Sequence, residues 1–282
     1  MSRVLSRLLS RLFSRTDGES LAGYVGVILL LLVGIVFIYW LYYKFVTDKK
    51  IASFVKAYEA PADKQKYLAA ASIYSHDPYP TMICLKSFDL EKPFLKLIRR
   101  QVFKRDWSIT NHQTTIDTLD WLFDSGHRKE IDLSSILRQL DSRYVVDSHL
   151  TQLITAANGI QVYNDSGELR TIDENAIYNC KGIFAWDALR GANVARVCYN
   201  LGYLSEEETW HYLEKFSHQL KENYDNWEEV AFSFLLGRYL WSGDSTQETY
   251  VRIITNQFTH YPMPQKSKKE INMWQKFPVS SL

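Results

Sequence analysis

The chain has 282 residues, 33 Lys+Arg against 32 Asp+Glu, and a formal net charge of +1 at pH 7. Beyond residue 50 there are 26 Lys/Arg against 29 Asp/Glu, a formal charge of −3, which argues against the basic footprint of a nucleic-acid-binding protein. Cys84, Cys180 and Cys198 make neither a disulfide framework nor a CxxC metal pattern and read as three buried thiols, the alternative being one bridge plus a free thiol if the domain is exported.

Residues 1–20 open with the repeat SRVL-SRLL-SRLF-SRTD, which sets Arg3, Arg7, Arg11 and Arg15 one helical turn apart beside Leu5, Leu9 and Phe13. On a 3.6-residue helix this makes a slowly drifting basic stripe, a short amphipathic arm suited to anionic lipid. A disordered basic tail that sets topology is the alternative.

Residues 21–43, LAGYVGVILLLLVGIVFIYWLYY, contain no charge. A helix rising about 1.5 Å per residue needs roughly 20 apolar residues to cross a ~30 Å hydrocarbon core, so a transmembrane helix is expected. Tyr24 near one end and Tyr39, Trp40, Tyr42 and Tyr43 at the other suit the headgroup interface. A signal peptide would have an apolar stretch of about 7–15 residues and a small-residue cleavage site; the exit here is Tyr-Tyr-Lys-Phe, so the run reads as an uncleaved anchor. Lys44, Lys49, Lys50 and Lys56 balance the four arginines across the span. A short arm with four arginines is harder to export than a long domain. The expectation is a single-pass protein of the bacterial inner membrane, N-terminus cytoplasmic and domain outside.

Residues 44–90 read as a helical connector. Pro61 suits a first helical turn, PADKQKYLAAASIY continues with good helix formers, and HDPYP at 76–80 is a break. The main helical domain is expected over 91–260. Phe94–Phe103 has helical rather than alternating apolar spacing. A helix over Asn111–Ser125 is capped by Thr110 or Asn111, with Gly126 in the C-terminal capping position, and further helices are expected over Leu133–Leu140 and Val146–Ala157. The turn signal Asp165-Ser166-Gly167 marks a short hairpin or loop near 161–175. Ser205 and Glu208 form a capping box for a helix through Trp210, Leu213, Phe216 and Leu220. Asn226 caps WEEVAFSFLLGRYLW, whose first-turn acids suit the helix dipole. Residues 261–282 read as a polar tail or latch. The fold class is all-α: one transmembrane helix, then a compact multi-helix domain.

Several strings in this domain share one pattern: Gly182-Ile183-Phe184-Ala185-Trp186-Asp187-Ala188-Leu189-Arg190, Leu201-Gly202-Tyr203-Leu204-Ser205 with Glu207 and Trp210, Trp227-Glu228-Glu229, and Leu236-Gly237-Arg238 with Trp241. Upstream stand Trp107-x-Ile109 and Leu119-x-x-Leu122 to Gly126-His127. Together they resemble the bacterial domain-of-unknown-function family numbered twelve-sixty-six, over roughly residues 95–242. The resemblance implies a fold more than a function, because the family brings no established reaction, cofactor or catalytic residue.

Asp187 and Arg190 are three apart and therefore neighbours on a helix, and Arg238 lies between Leu236 and Leu240 on a mostly apolar one. They read first as a buried ion pair clamping two helices, Asp187–Arg238 or a Glu–Arg equivalent. The functional reading is a cleft in which Asp187, Arg190 and Arg238 recognise an anion or a partner's carboxylate. Asp117, Asp120 and Asp124 share a face near His112, and His211 and Glu214 make an HxxE pair. These read as a solvated face and an incomplete di-iron motif, so no metal and no cofactor is expected. Trp186, Trp210, Trp227 and Trp241 read as core anchors.

Two functions follow. One is a membrane-anchored module that binds a protein partner in a secretion, envelope or toxin-defence setting, with the lipid bilayer engaged through residues 21–43 and no nucleic acid. The alternative is a membrane-bound hydrolase or transferase using the Asp187/Arg190/Arg238 cluster. No GxSxG, Walker-type loop, HExxH or Rossmann glycine fingerprint is present.

Overall fold

A computed structural model of the chain describes residues 21–75, 77, 81–242 and 273–282. Arg3, Arg7, Arg11 and Arg15 lie outside the described residues, as does most of the HDPYP break. The described residues form twelve α-helices, several 3-10 turns and one two-stranded sheet: the fold is all-α. The chain divides into two compact units at Lys50.

The first helix, α1 (Leu21–Tyr58), is long and apolar enough to cross a membrane. Its side chains from Ile28 to Tyr43 are almost all exposed, which in water would leave a large apolar surface uncovered.

The second unit, residues 51–282, begins with the end of α1. The stretch expected as one helix after Pro61 is broken into a 3-10 turn over Gln65–Tyr67, α2 (Leu68–Ala71) and a second 3-10 turn over Ser72–Tyr74. All four residues of α2, LAAA, are buried, so packing against the domain overrides the local helix preference of the longer segment. Then follow α3 (Pro93–Trp107), α4 (His112–Asp124), α5 (Gly126–Glu130), α6 (Ser134–Asp141) and α7 (Ser148–Ala157). Asn111 caps α4 in a box with Thr114, and Asp147 caps α7 by accepting from the His149 and Leu150 amides. Strands β1 (Gln161–Tyr163) and β2 (Leu169–Thr171) pair antiparallel with Val162 opposite Arg170; Gly167 takes φ +77 at the turn, a conformation only glycine adopts freely.

After α8 (Glu174–Tyr178) come the three longest helices of this unit, α9 (Phe184–Leu201), α10 (Glu206–Asn223) and α11 (Trp227–Ser242). The Ser205–Glu208 capping box forms as expected, and Asn226 accepts from the Glu229 amide at the start of α11. Helix α9 is central, packing against α10, α11, α4 and α2, and 14 of its 18 residues are buried. The approach is close: a Cβ on Gly191 would strike the Phe216 ring of α10, and one on Gly237 of α11 would strike Trp186 of α9.

The chain closes with α12 (Met273–Lys276) and a 3-10 turn at Val279–Ser281. The polar-tail reading of 261–282 is corrected for these residues. Met273, Trp274, Val279 and Leu282 are buried. Trp274 stacks on Trp227 with ring centroids 4.3 Å apart, and its indole N–H donates to the Ala69 carbonyl. Four apolar residues spaced without a helical or strand period gave no signal of burial.

Candidate functional site

Asp187 opens the first turn of α9 with no exposed surface. Its Oδ1 accepts from the His127 amide at 3.2 Å and from Arg190 Nη2 at 2.6 Å. Its Oδ2 accepts from the Arg128 amide at 3.1 Å and Arg128 Nη1 at 3.3 Å. The carboxylate therefore satisfies two orphan amides at the start of α5, where negative charge is favoured, and two guanidinium groups. Gly126 makes this fit possible. It follows the end of α4 with φ +58, the left-handed position that ends many helices in glycine, and a Cβ there would collide with Asp187 Oδ2.

Each arginine has further work. Arg128 donates to the Leu122 and Phe123 carbonyls at the C-terminus of α4, so it caps one helix while binding the carboxylate that caps the next. Arg190 donates from Nε to the Trp186 carbonyl and from Nη2 to His127 Nδ1 at 2.7 Å. Its guanidinium lies 4.1 Å from the Trp186 ring centroid. Burial pulls its pKa below the ordinary arginine value, and Asp187 offsets only part of that.

His127 Nδ1 accepts a hydrogen bond from a guanidinium, so the proton of the neutral ring sits on Nε2. Burial first, then the Arg190 charge, pull its pKa below the ordinary histidine value. The ring meets Trp121 edge-on at 5.0 Å and Trp241 at 6.3 Å. This is a neutral donor, not a base.

Arg238 joins the group through aromatic rings: its guanidinium lies 5.7 Å from the centroid of Trp186 and 5.0 Å from that of Trp241. The three residues singled out in the sequence thus meet around Trp186. Asp187 makes ion pairs with Arg128 and Arg190, so the clamp runs between α9 and the α4–α5 junction. Trp241 is 49% exposed. It is a surface residue, and its reading as a core anchor is corrected, whereas Trp186, Trp210 and Trp227 are buried. Trp186 Nε1, buried in the cluster, has no hydrogen-bond partner among the described residues.

A second ionised site lies further along α9. Arg196 donates to the Leu85, Cys84 and Lys86 carbonyls, to Ser75 Oγ, and to Asp77 Oδ2 at 3.0 Å. Asp77 accepts in addition from Ser87 Oγ and the Asp89 amide. Asn200 bridges the same loop, accepting from the Ser87 amide and donating to the Leu85 carbonyl. Beside this network a cleft of about 370 Å³ is lined by Tyr74, Arg99, Val102, Asn193 and Arg196 among others.

The acidic face of α4 is divided among separate partners. Asp117 accepts from Gln113 and Asp120 from the Tyr212 hydroxyl. His112 pairs with Glu208, which holds that carboxyl down at about 2, and Glu214 accepts from the Tyr67 hydroxyl. Among the described residues no three His, Cys, Asp or Glu side chains are grouped to hold a metal. The cysteines are free; burial raises Cys84 and Cys180 to about 11 and Cys198 to about 12, so none is a ready nucleophile.

Sequence reading missed Gly126, His127 and Arg128 as members of the Asp187 site, and the Arg196–Asp77 site altogether. His127 and Arg128 stand about sixty residues from Asp187, and Asp77 stands 119 from Arg196. The signal available was local: a glycine closing α4, followed at once by two basic residues.

Comparison with known proteins adds a family and nothing finer. No curated protein matches the chain, and no solved structure does. The family model described as "Protein of unknown function (DUF1266)" matches residues 102–278. That is more than half of the chain, and the chain belongs to this family.

Proposed function

Starting from a family with no assigned reaction, we propose that this chain is a membrane-tethered interaction module: an all-α domain held at a bilayer by α1 that binds another protein. The observation that carries this reading is the saturation of Asp187. Each carboxylate oxygen takes two hydrogen bonds from the protein itself, with no surface exposed, so neither is open to a substrate. His127, half-buried at the edge of the cluster, presents a proton rather than a lone pair. The cluster builds the domain.

Above this scaffold lies an aromatic and cationic surface of Trp241, Trp121, His127 and Arg238. Trp and Arg are the residues that most often dominate binding energy at protein interfaces. The partner is a protein of a secretion, envelope or toxin-defence system at the bacterial inner membrane. The N-terminus lies in the cytoplasm and the domain on the far side, as the four-arginine arm favours.

Two variants of the full-length protein test the reading. Asp187→Asn is expected to lose thermal stability, because it strands Arg128 and Arg190. Trp241→Ala is expected to melt near the wild-type temperature and to lose in-membrane cross-links to the partner. An Asp187→Asn protein that melts normally while an enzymatic activity disappears favours the hydrolase or transferase instead.

A further inference from the structure

Helix α3 is the least covered helix of the domain. Among its fifteen residues only Phe103 is buried. Phe94, Leu97 and Ile98 are 71%, 55% and 44% exposed, and at i, i+3 and i+4 they share one face. From Lys92 to Arg105 the chain carries six Lys/Arg and no acid, although beyond residue 50 acids outnumber bases. Lys92 is paired with Asp89, Arg105 with Asp106, and Arg100 donates to the Leu201 carbonyl. On a 3.6-residue helix Arg100, Lys104 and Arg105 are the exposed cations within or beside the apolar face, whereas Lys96 and Arg99 are half-buried on the side of Phe103.

Position in the fold points the same way. The 3-10 turn Asp89–Glu91 that packs on α3 follows Phe88, whose ring meets Phe54 edge-on with centroids 5.3 Å apart. Phe54 is buried near the start of the second unit, so α3 begins beside the point where the chain enters the domain. Only residues 44–50 separate the apolar run from that unit, a tether of at most roughly 25 Å if fully extended.

We propose that the outward face of α3 docks on the anionic surface of the bilayer that holds α1. Phe94, Leu97 and Ile98 enter the headgroup–acyl boundary, and Arg100, Lys104 and Arg105 meet lipid phosphates, the arrangement of an interfacial amphipathic helix. A second copy of the same face is disfavoured as occupant, because pairing would bring the two sets of cations together. The inference rests on the reading of α1 as a membrane anchor, and its test separates the two.

The test uses the full chain carrying an environment-sensitive fluorophore on Leu97→Cys, reconstituted into phosphatidylcholine bilayers with and without phosphatidylglycerol. The native cysteines, with their raised pKa values, give a low labelling background that the unsubstituted protein measures. Spin-labelled lipid is expected to quench the fluorophore strongly in the anionic bilayer and weakly in the neutral one. High salt, or the triple reversal Arg100→Glu, Lys104→Glu and Arg105→Glu, is expected to abolish that difference. A fluorophore that stays open to aqueous quenchers in both bilayers overturns the proposal. So does one shielded from water but insensitive to the spin-labelled lipid, since a protein surface then covers the helix. The same label on Ile35→Cys reports the anchor separately: it is quenched in both bilayers if α1 spans, whatever α3 does.

Discussion

Helix α9 carries two buried charged sites built on opposite plans. At its N-terminal end a carboxylate is the hub: Asp187 collects two backbone amides and two arginines from around it. Nearer its C-terminal end a guanidinium is the hub: Arg196 reaches three carbonyls, a hydroxyl and Asp77. Both fasten non-contiguous chain to the central helix, the α4–α5 junction in one case and Ser75, Asp77 and residues 84–87 in the other. The first borders a surface of Trp241, Trp121 and His127, whereas the second borders a cleft. Buried charge in this domain serves long-range connection, because ions taken from water persist only where partners fill their hydrogen-bonding capacity.

If hubs matter more than spokes, removing either hub costs most. Asp187→Asn and Arg196→Gln are each expected to lose roughly 3–5 kcal/mol in denaturant unfolding, the usual penalty for stranding a buried partner. Removing a spoke of the second site is milder: Asp77→Asn leaves Arg196 with its carbonyls and hydroxyl and is expected to cost roughly 1–3 kcal/mol. Equal losses for Asp77→Asn and Arg196→Gln would erase the distinction. Gly126→Ala tests the fit at the first site, since a left-handed backbone and a collision with Asp187 combine there; a loss of at least roughly 1–3 kcal/mol is expected from the strain alone.

Acid separates the two sites by chemistry. His127 has its pKa depressed by burial and by Arg190, so the unfolded chain takes up a proton near pH 6.5 that the folded chain does not. The stability this histidine confers is present above about pH 6.5 and falls as the pH drops toward the folded value. His127→Gln, which can still accept from Arg190, is expected to flatten that part of the profile, while Asn200→Ala at the second site leaves its slope unchanged. The smallest effect belongs to a local feature outside both sites: Ser205→Ala removes the cap of α10 and is expected to cost about 1 kcal/mol, read as a shift in the urea midpoint.

The same contrast marks what could be read from sequence. Ser205 with Glu208, the Asn111 and Asn226 caps, Gly126 closing α4, and the turn at Asp165-Ser166-Gly167 are decided within a few residues of chain, and all appear in the fold. Asp187 and Arg190 were legible for the same reason, being three apart on one helix. Arg128, His127, and the pairing of Asp77 with Arg196 were not, because chain far apart in sequence has to meet before they acquire partners. Tertiary packing also decided the broken helix at 65–74 and the burial of Met273, Trp274, Val279 and Leu282. Trp241 failed in the other direction: its helical spacing suggested core, yet it sits near the end of α11 with half its surface exposed.

The central claim is that the Asp187 cluster holds the domain together. Urea unfolding of full-length Asp187→Asn beside the wild-type protein in the same detergent tests it most directly. The account predicts a midpoint shifted well down, equivalent to roughly 3–5 kcal/mol, with an unchanged slope. An unchanged midpoint would contradict it and return Asp187 to the list of residues available for chemistry.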